Sequence, residues 1–388
     1  MIQSGHSRRA TQFQGPTTIA KQSPLPDEGL RALDALVDRI EAEPGDVINA
    51  ADFIALQEQM DVRAVIKALP EELSEEDLAN ILRLAMLTEC AAETFGAAIE
   101  ERAQRYDAQW LSRFTNRVWL PDELTHLAPY KMILLSLGFS EEELDRQIRH
   151  TQQLPFEHRG GDLPVQVTTF GFIQEYLTDN WHGLVAKLLK RASPEASYMA
   201  TRVKRRETLH TMWYRDMTAL QLEADPRLLE PMAEALIKFQ MPANQVAPDL
   251  QDEVARWLPP MGVDYEQMAR DLLRLVHTTL GDVRETGRLL VQLAAEKGYR
   301  LGPISAAQMR AAVNRLGGPG YGLIGEALLE RLGLSYLFHS PAGGQDSAMA
   351  PYSGVYERIR GLLRSWIAGK IDFDFRAGTS PLPAGPGI

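Results

Sequence analysis

Apolar positions recur along this chain every three to four residues, the period of an α-helix with one buried face. Strict two-residue alternation is scarce, and Leu163–Thr169 is the sole short strand candidate. Breaks in the pattern coincide with Pro, Gly and Asn, which punctuate helices. The spacing predicts helices over Asp34–Glu43, Glu75–Arg105, Pro121–Leu137, Phe172–Arg191, Pro194–Leu222 and Leu228–Gln240. Further helices follow over Asp249–Trp257, Tyr265–Leu280 and Val283–Lys297. Ser74 with Asp77 three residues on reads as a helix N-cap, and Gly138 as a helix stop. Residues 1–26 read as a disordered tail and residues 27–299 as one helical domain. Residues 300–388 read as a C-terminal extension, with flexible loops, a helix over Val355–Ile371 and a Pro- and Gly-rich tail.

Composition narrows the class. Apolar residues at 45% with charged residues at 24% describe an ordinary globular protein. No apolar run is long enough to span a bilayer, and the tail lacks a secretory core, so a cytoplasmic location is expected. A net charge of −11 argues against broad nucleic-acid binding, which needs a basic surface. The single cysteine, Cys90, excludes a disulfide framework and multi-cysteine metal sites.

The chemistry-bearing pattern is a pair of Glu-x-x-His motifs, Glu123-Leu124-Thr125-His126 and Glu207-Thr208-Leu209-His210. On a helix, residues i and i+3 share a face, so one carboxylate and one imidazole reach the same metal. Glu89 precedes the first motif and Glu175 the second at similar distances, each suited to two antiparallel helices and a loop. The order Glu, Glu-x-x-His, Glu, Glu-x-x-His over four helices is the ligand set with which ferritin-like bundles build a di-iron site. Six oxygen and nitrogen donors suit iron or manganese better than zinc. Glu89 lies among Leu84, Met86, Leu87 and Cys90, and Glu175 among Phe172, Ile173 and Tyr176. Buried carboxylates there call for a partner, and a metal is the natural one. Glu93, one turn after Glu89, is its rival.

These residues also carry a family likeness. Leu87-Thr88-Glu89 with Phe95, Trp119 before Glu123, Gln174-Glu175 with Thr178 and His182-Gly183, Glu207-x-x-His210 with Tyr214 and Asp225-Pro226, and Met241-Pro242-Ala243 together resemble the soluble acyl-carrier-protein desaturases. The likeness covers roughly residues 75–280. It implies an all-α, ferritin-like four-helix bundle with additional helices and a helical C-terminal extension. It implies an O2-dependent oxidoreductase with two iron ions per chain, oxidising a C–H bond of an acyl chain held on acyl carrier protein. A ferredoxin-type donor would supply electrons, and the chain would be a homodimer with no nucleic-acid or membrane partner. Glu123 and Glu207 would bridge the irons, Glu89 and Glu175 would be terminal ligands, and His126 and His210 would bind one iron each. Thr178 would be the catalytic hydroxyl beside the oxygen-binding face, against the plainer reading of a helix Thr bonding its own backbone.

Two departures stand out. Arg206 occupies the place where the family carries an acid behind a ligand histidine, and Asp122 is a candidate substitute acid. Pro121 falls inside the second ligand helix, where it marks a start or a kink. A basic patch for an acidic carrier is expected from Lys187, Lys190, Arg191, Arg202, Lys204, Arg205 and Arg206. Three other functions stay open: a di-iron hydroxylase or amine N-oxygenase of secondary metabolism, a non-catalytic ferritin-like metal-binding protein, and a metal-free helical scaffold. A long apolar cavity favours acyl chains; a short polar pocket with basic residues favours a small amine or acid.

Overall fold

The computed structural model describes residues 25–279, apart from several positions between 226 and 238. The sequence-predicted helix over Val283–Lys297, the extension over 300–388 and nearly all of the N-terminal tail lie outside the described residues. Within them the chain is all-α, and no strand is present. Helices α1 (Asp27–Ala42), α2 (Ile54–Gln59), α3 (Val62–Lys67), α4 (Glu75–Cys90) and α5 (Ala92–Arg105) come first. They are followed by α6 (Gln109–Phe114), α7 (Leu120–Glu123), α8 (Leu127–Ser136), α9 (Glu141–Gln152), α10 (Pro164–Leu189) and α11 (Pro194–Ala224). Later helices cover Gln251–Met261 and Tyr265–Thr279.

Helices α10 and α11 form a long hairpin, α4 packs on α8, and α8 closes against α11, giving a four-helix bundle of the ferritin-like type. Helix α1 lies along the outside of α11. Ser74 caps α4 as the sequence predicts: its hydroxyl accepts from Asp77 N, and the Asp77 carboxylate accepts from Ser74 N at 2.8 Å. Gly138 follows α8 with φ +97°, a left-handed stop closed to most other residues.

Three expectations need correction. The strand candidate Leu163–Thr169 is the first turns of α10, because Pro164 opens the helix and the whole segment from Pro164 to Thr169 is buried. A run buried on all sides has no period by which strand and helix can be told apart. The single helix expected over Glu75–Arg105 breaks at Ala91, between α4 and α5. The helix expected over Pro121–Leu137 is also interrupted. Pro121 donates no backbone hydrogen bond and its ring crowds the preceding turn, and the chain answers with a π-helical turn over Thr115–Trp119. After α7 the backbone passes through a tight turn, with Thr125 N bonding Asp122 O and His126 N bonding Glu123 O, before α8 begins.

Packing divides the bundle into two apolar cores. One holds Phe95, Phe114, Trp119, Phe170, Phe172, Ile173, Tyr214 and Met217. The other holds Ile81, Leu82, Met86, Tyr130, Leu134, Val185, Met199 and Val203. Helices α10 and α11 contribute to both and α4 and α8 to the second, and buried polar residues lie where the two cores meet: Glu89, Asp122 with Glu123 and His126, Glu175 with Thr178, and Arg206 with Glu207 and His210. The cores thus enclose a charged belt that has no bulk water.

Candidate metal centre

All six predicted ligand residues meet in this belt, and none is more than 4% exposed. His126 Nδ1 lies 2.7 Å from Glu207 Oε1, 3.4 Å from Glu123 Oε2 and 3.5 Å from Glu89 Oε2. His210 Nδ1 lies 2.6 Å from Glu123 Oε1 and 4.0 Å from Glu175 Oε2. The two imidazoles face each other nearly parallel, 5.4 Å apart. The structure therefore puts Glu123 and Glu207 between the histidines, Glu89 on the His126 side and Glu175 on the His210 side. Glu93 is exposed and plays no part.

The donor set fits a metal pair on an independent ground. Glu123 Oε1, His126 Nδ1, Glu207 Oε1 and His210 Nδ1 are buried and form no aligned hydrogen bond, although they approach one another closely. Lone pairs converging on a shared point, rather than on each other's protons, are what a cation satisfies. Glu123, His126, Glu207 and His210 are close enough to hold one ion, and Glu89, His182 and Glu207 form a second such group.

Electrostatics say the same. Burial and the neighbouring charges of Glu123 and Glu207 push the Glu175 carboxyl far above its ordinary range. Burial and the charge of Glu207 also raise Glu123. Burial alone would depress the imidazoles, but the carboxylates overturn it: Glu123 with Asp122 holds His210 at about 9, and His126 is raised well above its usual value. Four buried carboxylates thus draw positive charge into the belt, and bound cations would supply it.

Outer contacts hold the ligands. Trp119 Nε1 donates to Glu175 Oε1 at 3.1 Å. Thr178 Oγ1 lies 3.0 Å from Glu207 Oε2 and also within reach of the Gln174 and Glu175 carbonyls, so its one proton serves either the carboxylate or the backbone. Asp122 Oδ2 is 2.8 Å from His210 Nε2 and accepts from Arg206 Nε at 2.7 Å. The acid that the sequence places at Asp122 thus stands behind His210, while Arg206, 2% exposed, backs the acid and lies 5.5 Å over the Trp213 ring. His182 Nε2 is 3.0 Å from Glu89 Oε1, and Tyr130 Oη is 2.5 Å from His182 Nδ1. Neither received a role from the sequence. His182 was visible in the His182-Gly183 pair, whereas Tyr130 carries no motif and is brought in only by the α8–α10 packing.

The basic patch does not form as one surface. Arg206 is buried against Asp122, Arg202 is buried with Asp46 as its ion-pair partner, and Lys204 pairs with Asp179 at 2.8 Å. A helix carrying charges in consecutive positions must turn some inward, and here the belt takes Arg206. Lys187, Lys190, Arg191 and Arg205 remain exposed.

A cleft, about 650 Å³ when the open solvent at its mouth is included, lies beside the belt. Thr88, Glu89, Thr178, Asn180, His182 and Asn244 supply its polar groups, and Leu84, Leu177, Leu184, Met241, Val254 and Leu258 much of the rest. Among the described residues no Lys or Arg lines it. Among the described residues no helix is long and apolar enough to cross a membrane.

A protein-family model described as fatty acid desaturase matches residues 33–275. No curated protein matches the chain.

Proposed function

The chain belongs to the fatty acid desaturase family, and from that premise we propose that it is an O2-dependent di-iron oxidoreductase that oxidises a C–H bond of an acyl chain carried on acyl carrier protein. The observation that carries the substrate class is the cleft: its wall is mostly apolar, no described Lys or Arg lines it, and it reaches Glu89 and Thr178 of the belt. An acyl chain satisfies such a wall at about 25 cal/mol per Å² of apolar surface covered, whereas a small acid would find no Lys or Arg there to pair with. This favours desaturase-like chemistry over N-oxygenation of a small polar molecule.

Glu89, Glu123, His126, Glu175, Glu207 and His210 are the residues that would hold the two metals, Glu123 and Glu207 being the carboxylates nearest both histidines. When bound, a di-iron pair supplies the oxidising power for removing hydrogen from an unactivated C–H bond. The chain's own residues bind, orient and exclude. The apolar wall aligns the substrate beside the belt and keeps bulk water out. Trp119 holds Glu175 by its N–H. Asp122 holds His210 with Nε2 outward, leaving Nδ1 for the metals. Thr178, in both the cleft wall and hydrogen-bond reach of Glu207, is placed to hold a proton at Oγ1 between substrate side and carboxylate.

The exposed Lys187, Lys190 and Arg191 at the end of α10 are the side chains we assign to docking an acidic carrier protein; Lys187 Nζ lies beside Gly262, close to cleft residue Leu258. A ferredoxin-type reductant, a homodimeric assembly and a cytoplasmic location complete the proposal.

Metal analysis of full-length protein and its Glu207→Ala variant tests the reading. Close to two irons per chain, lost in the variant, is the expected result, with O2- and reductant-dependent turnover of acyl-carrier substrates to follow. Protein grown with ample iron yet purified without any would sink it.

A further inference from the structure

We propose that Tyr130 and His182 form a clamp that holds Glu89 so that one of its oxygens is committed to His182 and only the other faces the metals. The clamp rests on the di-metal reading above and adds two positioning residues to it.

The three groups come from three helices, Glu89 on α4, Tyr130 on α8 and His182 on α10, and none is more than 3% exposed. Burial, with the nearby charge of Glu89, keeps the Tyr130 phenol protonated well above its ordinary range. Its oxygen lies 2.5 Å from His182 Nδ1, and in the clamp its O–H donates to that nitrogen. A neutral imidazole that accepts at Nδ1 carries its proton on Nε2. That proton is directed at Glu89 Oε1, at 3.0 Å. Glu89 Oε2 is left free and lies 3.5 Å from His126 Nδ1, inside the proposed metal centre. The arrangement has a purpose that the cleft makes plain. Glu89 and His182 both line it, and a carboxylate with a free oxygen at an apolar wall would turn toward any water that enters, drawing away from the belt. The His182 N–H removes that option.

The same trio could act otherwise: Glu89, His182 and Glu207 are close enough to hold an ion directly. The two roles make opposite demands on His182. A clamp needs an N–H donor, which glutamine retains; a ligand needs a ring nitrogen lone pair, which glutamine lacks.

The test loads full-length protein with Fe2+ without oxygen and follows release of iron to a chelator in the wild type, Tyr130→Phe and His182→Gln. Changing an outer partner of a ligand typically costs about 10- to 100-fold in metal affinity. In Tyr130→Phe, one of the two equivalents should leave about 10- to 100-fold faster and the other at the wild-type rate, because Glu175 and His210 are untouched. His182→Gln should keep both equivalents near the wild-type rate. Unchanged release in Tyr130→Phe overturns the clamp, as does equal acceleration of both equivalents, which marks general loosening. Loss of an equivalent in His182→Gln also overturns it and makes His182 a ligand. Wild-type protein that takes up no iron fails at the di-metal reading itself, a result distinct from the others, and the clamp falls with it.

Discussion

Arg206→Met is the substitution whose outcome the structure constrains most tightly. The guanidinium is 2% exposed; Nε donates to Asp122 Oδ2 at 2.7 Å, and the group lies over Trp213. Nη1 and Nη2 have no hydrogen-bond partner, so the Asp122 bond and the ring contact are what hold a buried cation in place. Methionine fills a similar volume with no charge. It leaves Asp122 as a buried anion whose remaining close hydrogen-bond partner is His210. Removing one member of a buried ion pair costs about 3–5 kcal/mol, because the other charge is left uncompensated. Marginal stability of about 5–15 kcal/mol makes that a large fraction of the whole. At about 2–4 °C per kcal/mol for a domain of this size, the melting temperature should fall by about 6–20 °C. The cost is expected to be conditional on Asp122. In the double variant Arg206→Met with Asp122→Asn no charge is stranded, so the two effects should not add, and the interaction energy should be about 2–3 kcal/mol. Urea unfolding of the four proteins of the cycle measures it. Additive losses, or a single-variant loss below about 1 kcal/mol, the range of an exposed pair, would refute the claim that Arg206 is tied to the belt through Asp122.

Two further outcomes concern the frame around the centre. Burial, with the charge of Arg102 adding to it, lowers His158 to about 3, and the ring packs against Phe95 and Phe170. The folded state thus holds it neutral while the unfolded chain takes up a proton near its ordinary value of about 6.5. Stability should be full above that pH and decline by about 1.4 kcal/mol per unit between about 6.5 and 3; urea titrations of His158→Phe across that window should lack this share of the slope, and an identical slope would contradict it. Gly171 on α10 faces Tyr214 on α11 so closely that an added Cβ would lie 2.6 Å from the ring. Gly171→Ala should therefore cost about 1–3 kcal/mol of overpacking in thermal unfolding, and an unchanged melting temperature would mean the hairpin yields there.

The helical class and the six belt residues were legible in the chain because both depend on spacing. Heptad-like periodicity marks the helices, and i, i+3 pairing puts Glu207 and His210 on one face whatever the bundle around them. The first motif was legible for a different reason than expected: Glu123 and His126 meet although a turn separates α7 from α8, since hydrogen bonds of the i to i−3 kind keep the two side chains together. Pro121 announced an irregularity but not its form, because a π turn depends on what the neighbouring helices allow. The helix over Glu141–Gln152, with Ser140 as its cap, carries the same spacing signal but no chemistry-bearing motif. Tyr130 was beyond reading: its role follows from the proximity of α8 and α10, and nothing local to residue 130 encodes that proximity. The basic run over 202–206 shows the converse limit, since sequence neighbours on a helix point in different directions and the belt captured one of them.

The two Glu-x-x-His motifs are equivalent on paper and unequal in place. His210 has a carboxylate behind it at 2.8 Å, while His126 Nε2 lies 3.8 Å from that same Asp122, beyond hydrogen-bond reach. The terminal carboxylates are more evenly served, Glu175 by the Trp119 N–H and Glu89 by the His182 N–H. What separates the halves is therefore the histidine, not the glutamate. An imidazole that donates to an ionised carboxylate is both better oriented and a stronger base toward a metal. Asp122 is held in that ionised form: burial alone would raise it, and the imidazoles of His126 and His210 instead keep it below the ordinary carboxylate range. Arg206 adds a fixed positive charge on the far side of Asp122, which draws the carboxylate's density away from His210 and moderates the same effect. In the proposed centre the His210 position should therefore bind metal first, and stepwise titration with Fe2+ that fills the His126 position first would refute this. Arg206, through its bond to Asp122, should set how far the two positions differ.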